Sequence, residues 1–173
     1  MRSILFILTA FWVVSVGGQT IVSPDENIKA EFYSRDTRFG KQVLYQVLYK
    51  EKPVILESTL GIKPWTDDKP FFITSIQEEG RSSIDTTWIP LYGERSKIRD
   101  HYHSMELSFL DSTQEKRSVR IQVRAYNEGI AFRYFFSEHP EGGEYLHITS
   151  EQTEFSMPEG TKAWFTPVAQ APY

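Results

Sequence analysis

The segment from Thr87 to Tyr102 carries the densest set of side chains that could do chemistry. Its three large rings offer stacking faces, and its three cations can hold carboxylates through charge-assisted hydrogen bonds. It is too polar for a core strand and too aromatic for a disordered linker. We therefore predict a long loop on a β-sheet scaffold, where binding and domain docking often occur. The residues expected to contact a ligand or a neighbouring domain are Trp88, Tyr92, Arg95, Arg99 and Tyr102.

No other combination of residues predicts a catalytic or metal centre. His101 and His103 would share one face of a strand, as two zinc ligands could, but no third ligand is evident nearby. The sequence has neither a Gly-x-Ser-x-Gly nucleophile motif nor a glycine-rich phosphate loop. Most acids fall in predicted turns or on polar strand faces, where ordinary surface charge explains them. These acids are Glu78, Glu79, Asp85, Glu94, Asp100, Glu128, Glu138 and Glu141.

The N-terminal segment predicts export. A basic residue, Arg2, precedes the apolar run Ser3–Val16, and Gly18 suits the last position before a signal-peptidase cleavage site. The run is shorter than the ~20 residues that span a bilayer, and no basic cluster follows it. A cleaved signal peptide over residues 1–18 is therefore favoured over a membrane anchor, and the expected location is the periplasm or the extracellular space.

Charge and cysteine content exclude two kinds of function. The 173 residues include 19 Lys and Arg against 23 Asp and Glu, a formal net charge of −4, whereas nucleic-acid binding needs clustered cations. The chain has no cysteine, which excludes thiolate zinc sites and leaves an exported protein to be stabilised by core burial or by another domain. The length after the signal, residues 19–173, suggests one domain.

Apolar and polar residues alternate with period two along most of this domain, which predicts β-strands. Residues 27–32 form a first strand, and residues 43–50 form a second that ends at Lys52-Pro53. The clearest pairing is a β-hairpin of residues 119–136 around the turn Asn127-Glu128-Gly129, with Met105–Phe109 as a third strand. Shorter candidate strands cover residues 54–56, 60–62, 71–76, 145–148, 153–155 and 163–165.

Many short strands without a helical stripe predict an all-β fold, an antiparallel β-sandwich. The strand pattern continues to the end of the sequence, at Lys162–Pro167 and beyond. A sandwich that stops there would leave an unpaired edge, which natural proteins usually protect. We therefore expect the sandwich to be incomplete at its C-terminus and the chain to be the front part of a longer protein.

Four stretches of sequence resemble the N-terminal domain of glycoside hydrolase family 97, a family of exported α-glucosidases and α-galactosidases. They read SPDENIKAEF, YQVLYKEKPVILESTLGI, TTWIPLYGERSKIRDHYHSMELSF and RIQVRAYNEGIAFRYFF, and together they cover most of residues 23–136. The GERS-x-x-RD-x-Y run followed by the RAYNEGIAFRY hairpin is the most specific part of the likeness. Residues 19–173 would then be a partial family 97 N-terminal domain.

The resemblance implies a super-sandwich like that of galactose mutarotases, which packs against a catalytic (β/α)8 barrel of the same polypeptide. The barrel, which this sequence lacks, supplies the family's catalytic carboxylates and most ligands of its calcium ion. One calcium-ligating glutamate comes from the sandwich and would fall just past Tyr173. The resemblance therefore implies calcium for the full-length enzyme only, and no catalytic or metal-binding residue carries over to this chain.

The expected function is that of a non-catalytic domain in an exported enzyme acting on α-linked oligosaccharides, with its barrel as partner, no nucleic acid and no membrane anchor after signal cleavage. The alternative is a free-standing carbohydrate-binding module that uses Trp88, Tyr92 and the arginines near them. Arg95 and Arg99 could clamp a sugar or the barrel, or form ion pairs within the domain; we favour anchoring or docking, because a long loop needs anchors to stay ordered. Trp65, Trp88 and Trp164 are either stacking platforms or buried residues.

Overall fold

The computed structural model describes residues 18–38, 40–64, 73–111, 118–136 and 148–166. Within these ranges the regular elements are antiparallel β-strands, and no helix has the length and apolarity that a membrane crossing requires. The first sheet contains β1 (Gln19–Val22), β2 (Ile28–Thr37), β3 (Gly40–Tyr49) and β4 (Lys52–Leu60), in that order. A short strand, β5 (Ile62–Pro64), follows. The second sheet contains β6 (Ile73–Trp88), β7 (Ile98–Asp111), β8 (Ser118–Tyr126) and β9 (Gly129–Phe136), and β10 (Ile148–Glu151) pairs with β5.

The two sheets pack face to face through alternate residues of their central strands, as a period-two pattern dictates. β2 and β3 supply one half of the core, and β7 and β8 supply the other. The core residues that are at most 1% exposed are Ala30, Phe32, Val43, Tyr45, Met105, Leu107, Phe109, Ile121, Val123 and Ala125. Each large apolar side chain buried in this way contributes about 1.5–3 kcal/mol. The prediction of an all-β antiparallel sandwich is confirmed.

The hairpin between β3 and β4 turns two residues earlier than predicted. Lys50 and Glu51 form the turn, with φ angles of 49° and 63°, and Lys52 already pairs with Tyr49. Such a turn usually contains Asn and Gly, so the sequence gives no sign of it. Pro53, expected to break the strand, lies inside β4, an outer strand of the first sheet, where a residue without an N–H group is tolerated.

The predicted loop from Thr87 to Tyr102 is shorter than expected. β6 continues to Trp88 and β7 starts at Ile98, so the connecting segment covers residues 89–97. Pairing across the two strands satisfies backbone groups that a loop would leave to water. The polar composition of the segment hid these strand ends.

β6 is also much longer than the predicted strand at residues 71–76. It has 16 residues, and most of the side chains from Gln77 to Thr87 are exposed. Because both faces of this part are largely polar, the alternation that marks a half-buried strand is missing.

The hairpin of β8 and β9 is confirmed, and β7 is its predicted third strand. Tyr126 pairs with Gly129, so the turn contains two residues, Asn127 and Glu128, rather than three. Gly129 does not supply a positive φ, since among the described glycines only Gly93 and Gly160 have one.

The segment after β10 covers the outer edge of β4. Backbone hydrogen bonds join the N–H of Gln152 to the carbonyl of Gly61, and the N–H of Glu154 to that of Thr59, at 2.8 and 2.9 Å. Residues 153–155, predicted as a strand, are thus extended and paired without forming a regular strand. Residues 163–165, also predicted as a strand, are irregular and exposed.

Several predicted features lie outside the described residues. They are the signal segment before Gly18, Trp65, the first two residues of the candidate strand at 71–76, Glu138, Glu141, residues 145–147 and the end of the chain from Pro167.

Replacing Glu51 by glycine is expected to raise the free energy of unfolding by about 0.5–1 kcal/mol. A side chain in the left-handed conformation costs roughly 1–2 kcal/mol, which exceeds the entropy cost of fixing a glycine. Urea denaturation measures the change. The matched control is Glu128→Gly, in a turn where φ is not positive. That variant should be neutral or less stable, and equal effects in the two variants would contradict the assignment of strain to Glu51.

Candidate functional site

The part of the β6–β7 hairpin from Ile84 to Tyr102, here called the hairpin arm, extends beyond the body of the second sheet. β8 pairs with β7 only from His103 onward, so the part of β7 before His103 is paired with β6 alone. At about 3.3 Å per residue, residues 98–102 carry the arm more than 10 Å past the end of β8. The arm therefore presents its tip to the surroundings.

The tip of the arm, residues 88–97, exposes an unusual amount of apolar surface. The exposed fractions are 50% for Trp88, 72% for Ile89, 100% for Leu91 and 90% for Tyr92. Single exposed apolar residues are common, but four within five positions are characteristic of a contact surface. Trp88 and Tyr92, two of the residues expected to contact a ligand or a domain, are thus accessible to one.

Arg99 anchors the arm internally. Its Nε and Nη2 atoms donate to the two carboxylate oxygens of Asp85, each at 2.7 Å, from the neighbouring strand. The bidentate hydrogen bond from Arg99 lowers the pKa of the Asp85 carboxyl, and the carboxylate raises the pKa of the guanidinium in return. This guanidinium is therefore engaged within the hairpin.

Arg95 lies in the tip and is exposed. Within the described ranges, no carboxylate lies within 4 Å of its guanidinium. Arg95 and Arg99 are thus not a pair of similar clamps, because one is free to meet a partner and the other is held by Asp85.

Tyr102 is buried rather than accessible. It is 7% exposed, its ring centroid lies 5.0 Å from that of Tyr126, and the guanidinium carbon of Arg124 lies 4.5 Å above it. Its ring supports other side chains and is not itself at the surface, where a contact with a sugar or a barrel had been expected.

The histidines of β7 form no metal centre in the described part of the chain, where no three His, Cys, Asp or Glu side chains come together. His101 and His103 do point to the same side of β7, but the Nδ1 atom of His103 lies 2.9 Å from the carbonyl oxygen of Val22 in β1. A bond to the backbone of the other sheet is a structural role for this ring.

Four described carboxyl groups have a pKa shifted in the direction opposite to that of a general acid. A catalytic acid needs a pKa raised toward neutrality. The described carboxyl groups with a shifted pKa are Asp25, Glu31, Glu78 and Asp85, and in each the pKa is lowered because a side-chain hydrogen bond stabilises the anion.

Trp164, one of the possible stacking platforms, is 87% exposed near the end of the described chain.

Three arginines on the outer face of β8 and β9, here called the arginine row, are not among the predicted site residues: Arg120, Arg124 and Arg133. Arg120 and Arg124 lie four positions apart on β8, and Arg133 on β9 faces Gln122 between them. Alternation of arginine with core residues along this hairpin was the available sign.

Two comparisons at the level of sequence place the chain. Residues 21–172 match the protein-family model described as Glycosyl-hydrolase 97 N-terminal. The chain is also 23% identical over 149 residues to a retaining alpha-galactosidase of Bacteroides thetaiotaomicron, a match that covers 83% of this chain and 20% of that enzyme.

Solved structures show the same likeness. A glycoside hydrolase family 97 enzyme of Pseudoalteromonas sp. strain K8, in complex with panose, is 28% identical with a TM-score of 0.66, over 82% of this chain and 20% of that chain. A beta-arabinopyranosidase is 21% identical with a TM-score of 0.67, over 82% of this chain and 21% of that chain, which is a likeness of fold alone. The chain thus spans about one fifth of the length of these relatives.

The carboxyl pKa of Asp85 is expected to report on the anchor of the arm. Because the lowered pKa reflects the ion pair, the pair should persist at neutral pH and be lost as the pH falls through that pKa. In Arg99→Gln the pKa should rise toward the ordinary value of 3.8. A pH titration of the carboxyl carbon by NMR measures it. Arg95→Gln removes a nearby charge without touching the pair, and a similar rise in that variant would contradict the assignment to Arg99.

Proposed function

Because this chain belongs to the glycosyl-hydrolase 97 N-terminal family, we propose that it is the non-catalytic β-sandwich of an exported glycoside hydrolase and docks against the catalytic domain of the same polypeptide. Its relatives are about five times longer, which leaves most of such an enzyme outside the matched region. The single observation that carries the docking role is the apolar tip of the hairpin arm. Four exposed apolar side chains there need a partner surface.

The proposed substrates of the whole enzyme are α-linked oligosaccharides, either α-glucosides or α-galactosides. The support comes from relatives: one is a retaining alpha-galactosidase, and others are family 97 enzymes solved with panose or acarbose. We place the reacting carboxylates in the proposed catalytic domain, a (β/α)8 barrel, because the family resemblance implies that the barrel supplies them. The chain alone is accordingly proposed to be inactive.

Calcium, which the family resemblance implies, is proposed to bind outside the described residues. In the part of the chain that the structure covers, no cluster of three acidic or histidine side chains could hold the ion. We therefore assign no calcium ligand to any described position.

Export to the periplasm or the extracellular space is also part of the proposal. Its support is the basic residue, apolar run and small residue that make up residues 1–18. Cleavage after Gly18 would leave Gln19, the first residue of β1, at the N-terminus.

A second candidate function is a free-standing carbohydrate-binding module. The observation that favours it is the exposure of Trp88 and Tyr92 on the arm, because exposed aromatic rings can stack on sugars. Titration of the chain with maltotetraose distinguishes the two: saturable binding that is lost in Tyr92→Ala favours the module.

Hydrolysis of aryl α-glucosides and α-galactosides tests the main proposal. The polypeptide encoded by the whole gene, with calcium, should turn over one of them, and the chain alone should turn over neither. Turnover by the chain alone that a single substitution abolishes would overturn the non-catalytic assignment.

Hydrogen exchange measures the docking itself. Amides of residues 89–97 should exchange at least about tenfold more slowly in the whole polypeptide than in the chain alone, since docking excludes water from the tip. Leu91→Asp should remove this protection because it places a charge in an apolar contact. The matched control is Val54→Asp, at an exposed apolar position of β4. Equal exchange at the tip in both polypeptides would show that the tip does not dock.

A further inference from the structure

The arginine row lies on β8 and β9, outside the tip of the hairpin arm that the docking proposal uses. Arg124 and Arg120 share the outer face of β8, and Arg133 projects from β9 between them, opposite Gln122. Since four residues of a strand span about 13 Å, the three guanidinium groups form a line along the hairpin. The line begins at the base of the hairpin arm, beside the buried ring of Tyr102.

Aromatic rings hold two of these guanidinium groups in place. The guanidinium carbon of Arg124 lies 4.5 Å from the ring centroid of Tyr102, and that of Arg133 lies 4.1 Å from the centroid of Phe135. Arg133 also donates from Nε to the side-chain oxygen of Gln122, at 3.1 Å. Arg124 also forms a hydrogen bond with the side chain of Tyr126. Stacking fixes the plane of a guanidinium, and the N–H groups that are not used in these bonds can bind a ligand.

The arginine row is not neutralised by ion pairs. Over the described ranges, the salt bridges involve other cations, namely Lys29, Arg35, Arg81 and Arg99. Three acids share the neighbourhood of the row. Glu106 accepts a hydrogen bond from Gln122 at 3.2 Å, and Glu79 accepts one at 2.5 Å from Ser108, which pairs with Arg120. The charge of Asp100 acts on Arg124. The acids equal the arginines in number, but none of them forms an ion pair with Arg124 or Arg133 within the described residues.

A cavity of about 210 Å³ opens beside Arg124 and Arg133. Gln122 and Tyr126 line it together with Ala131, whose small side chain faces Arg124 across the two strands. A second cavity of about 80 Å³ lies beyond Gln122, next to Arg120 and Phe135. The two cavities combine guanidinium donors, an amide and aromatic rings along one surface.

We propose that the arginine row binds an anionic saccharide, with the carboxylate or sulfate group of one sugar residue held by Arg124 and Arg133. Planar guanidinium groups match such oxyanions through paired hydrogen bonds. The aromatic and apolar lining suits the C–H face of the sugar ring, and Gln122 suits its hydroxyl groups. The choice of a saccharide rests on the proposed function, whereas the choice of an anion rests on the stacked guanidinium groups of Arg124 and Arg133, which form no ion pair within the described residues.

Calorimetric titration of the chain with four probes tests the proposal. The probes are maltotetraose carrying a terminal glucuronate, maltotetraose 6-sulfate, unmodified maltotetraose and inorganic sulfate. At least one anionic sugar should bind about tenfold or more tightly than unmodified maltotetraose and inorganic sulfate. Comparison of the glucuronate sugar with the sulfated sugar shows whether the site prefers a carboxylate or a sulfate group. Either Arg133→Gln or Arg124→Gln should weaken that binding at least about tenfold, the loss expected for a charge-assisted hydrogen bond.

The matched control is Arg35→Gln, which removes one positive charge from the other sheet. The affinity of the Arg35→Gln variant for the anionic sugar should stay within about twofold of that of the unsubstituted chain. For the unsubstituted chain, binding of the anionic sugar should weaken as salt is added. Three results would overturn the proposal: no binding of either anionic sugar, equal binding of inorganic sulfate, or an equal loss in Arg35→Gln. The proposed function is tested separately, because this titration needs neither turnover nor the catalytic domain.

Discussion

The burial of Tyr45 between the two sheets is the interaction on which the rest of the structure depends. Its ring stacks on Phe32 in the same sheet and contacts Phe132 of the opposite sheet edge to face, with centroids 6.1 and 5.6 Å apart. Phe155, from the segment that covers β4, contacts the same ring at 6.3 Å. The hydroxyl donates to the carbonyl of Glu154 at 2.7 Å, and burial raises its pKa to about 12, so it remains a donor at neutral pH. One side chain thus joins both sheets and the closing segment.

Fixing the inner faces also fixes what the outer faces present. Because side chains alternate along a strand, the burial of Ile121, Val123 and Ala125 places Arg120, Gln122 and Arg124 on the opposite side of β8. A slip of one residue in register would bury the arginines, which the core could not tolerate without partners. By the same alternation of side chains, Trp88 of β6 lies on the outer face of the second sheet, the face that carries the arginine row. The exposed chemistry of this domain is therefore a consequence of its core.

The sequence was most informative where one face of a strand is apolar. Met105–Phe109 and the hairpin of β8 and β9 could be predicted because each has a single apolar face. The middle of β6 could not, because both its faces are largely polar. The turn at Lys50-Glu51 could not, because neither residue favours a positive φ. The exposure of Trp88 and Tyr92 depends on where the arm ends, and the burial of Tyr102 depends on Arg124 and Tyr126. Such contacts between distant residues leave no local pattern.

The covering of β4 by the segment after β10 has a consequence for the order of folding. Each four-stranded sheet is a succession of neighbouring strands, so its pairings close short loops and can form early. The contacts that close the sandwich join residues 95 and 109 positions apart, at Thr59 with Glu154 and at Tyr45 with Glu154. During synthesis, both four-stranded sheets could therefore form before the ribosome has made the segment after β10. Until it arrives, β4 remains an open template, and the nascent domain depends on the speed of synthesis to avoid pairing with other chains.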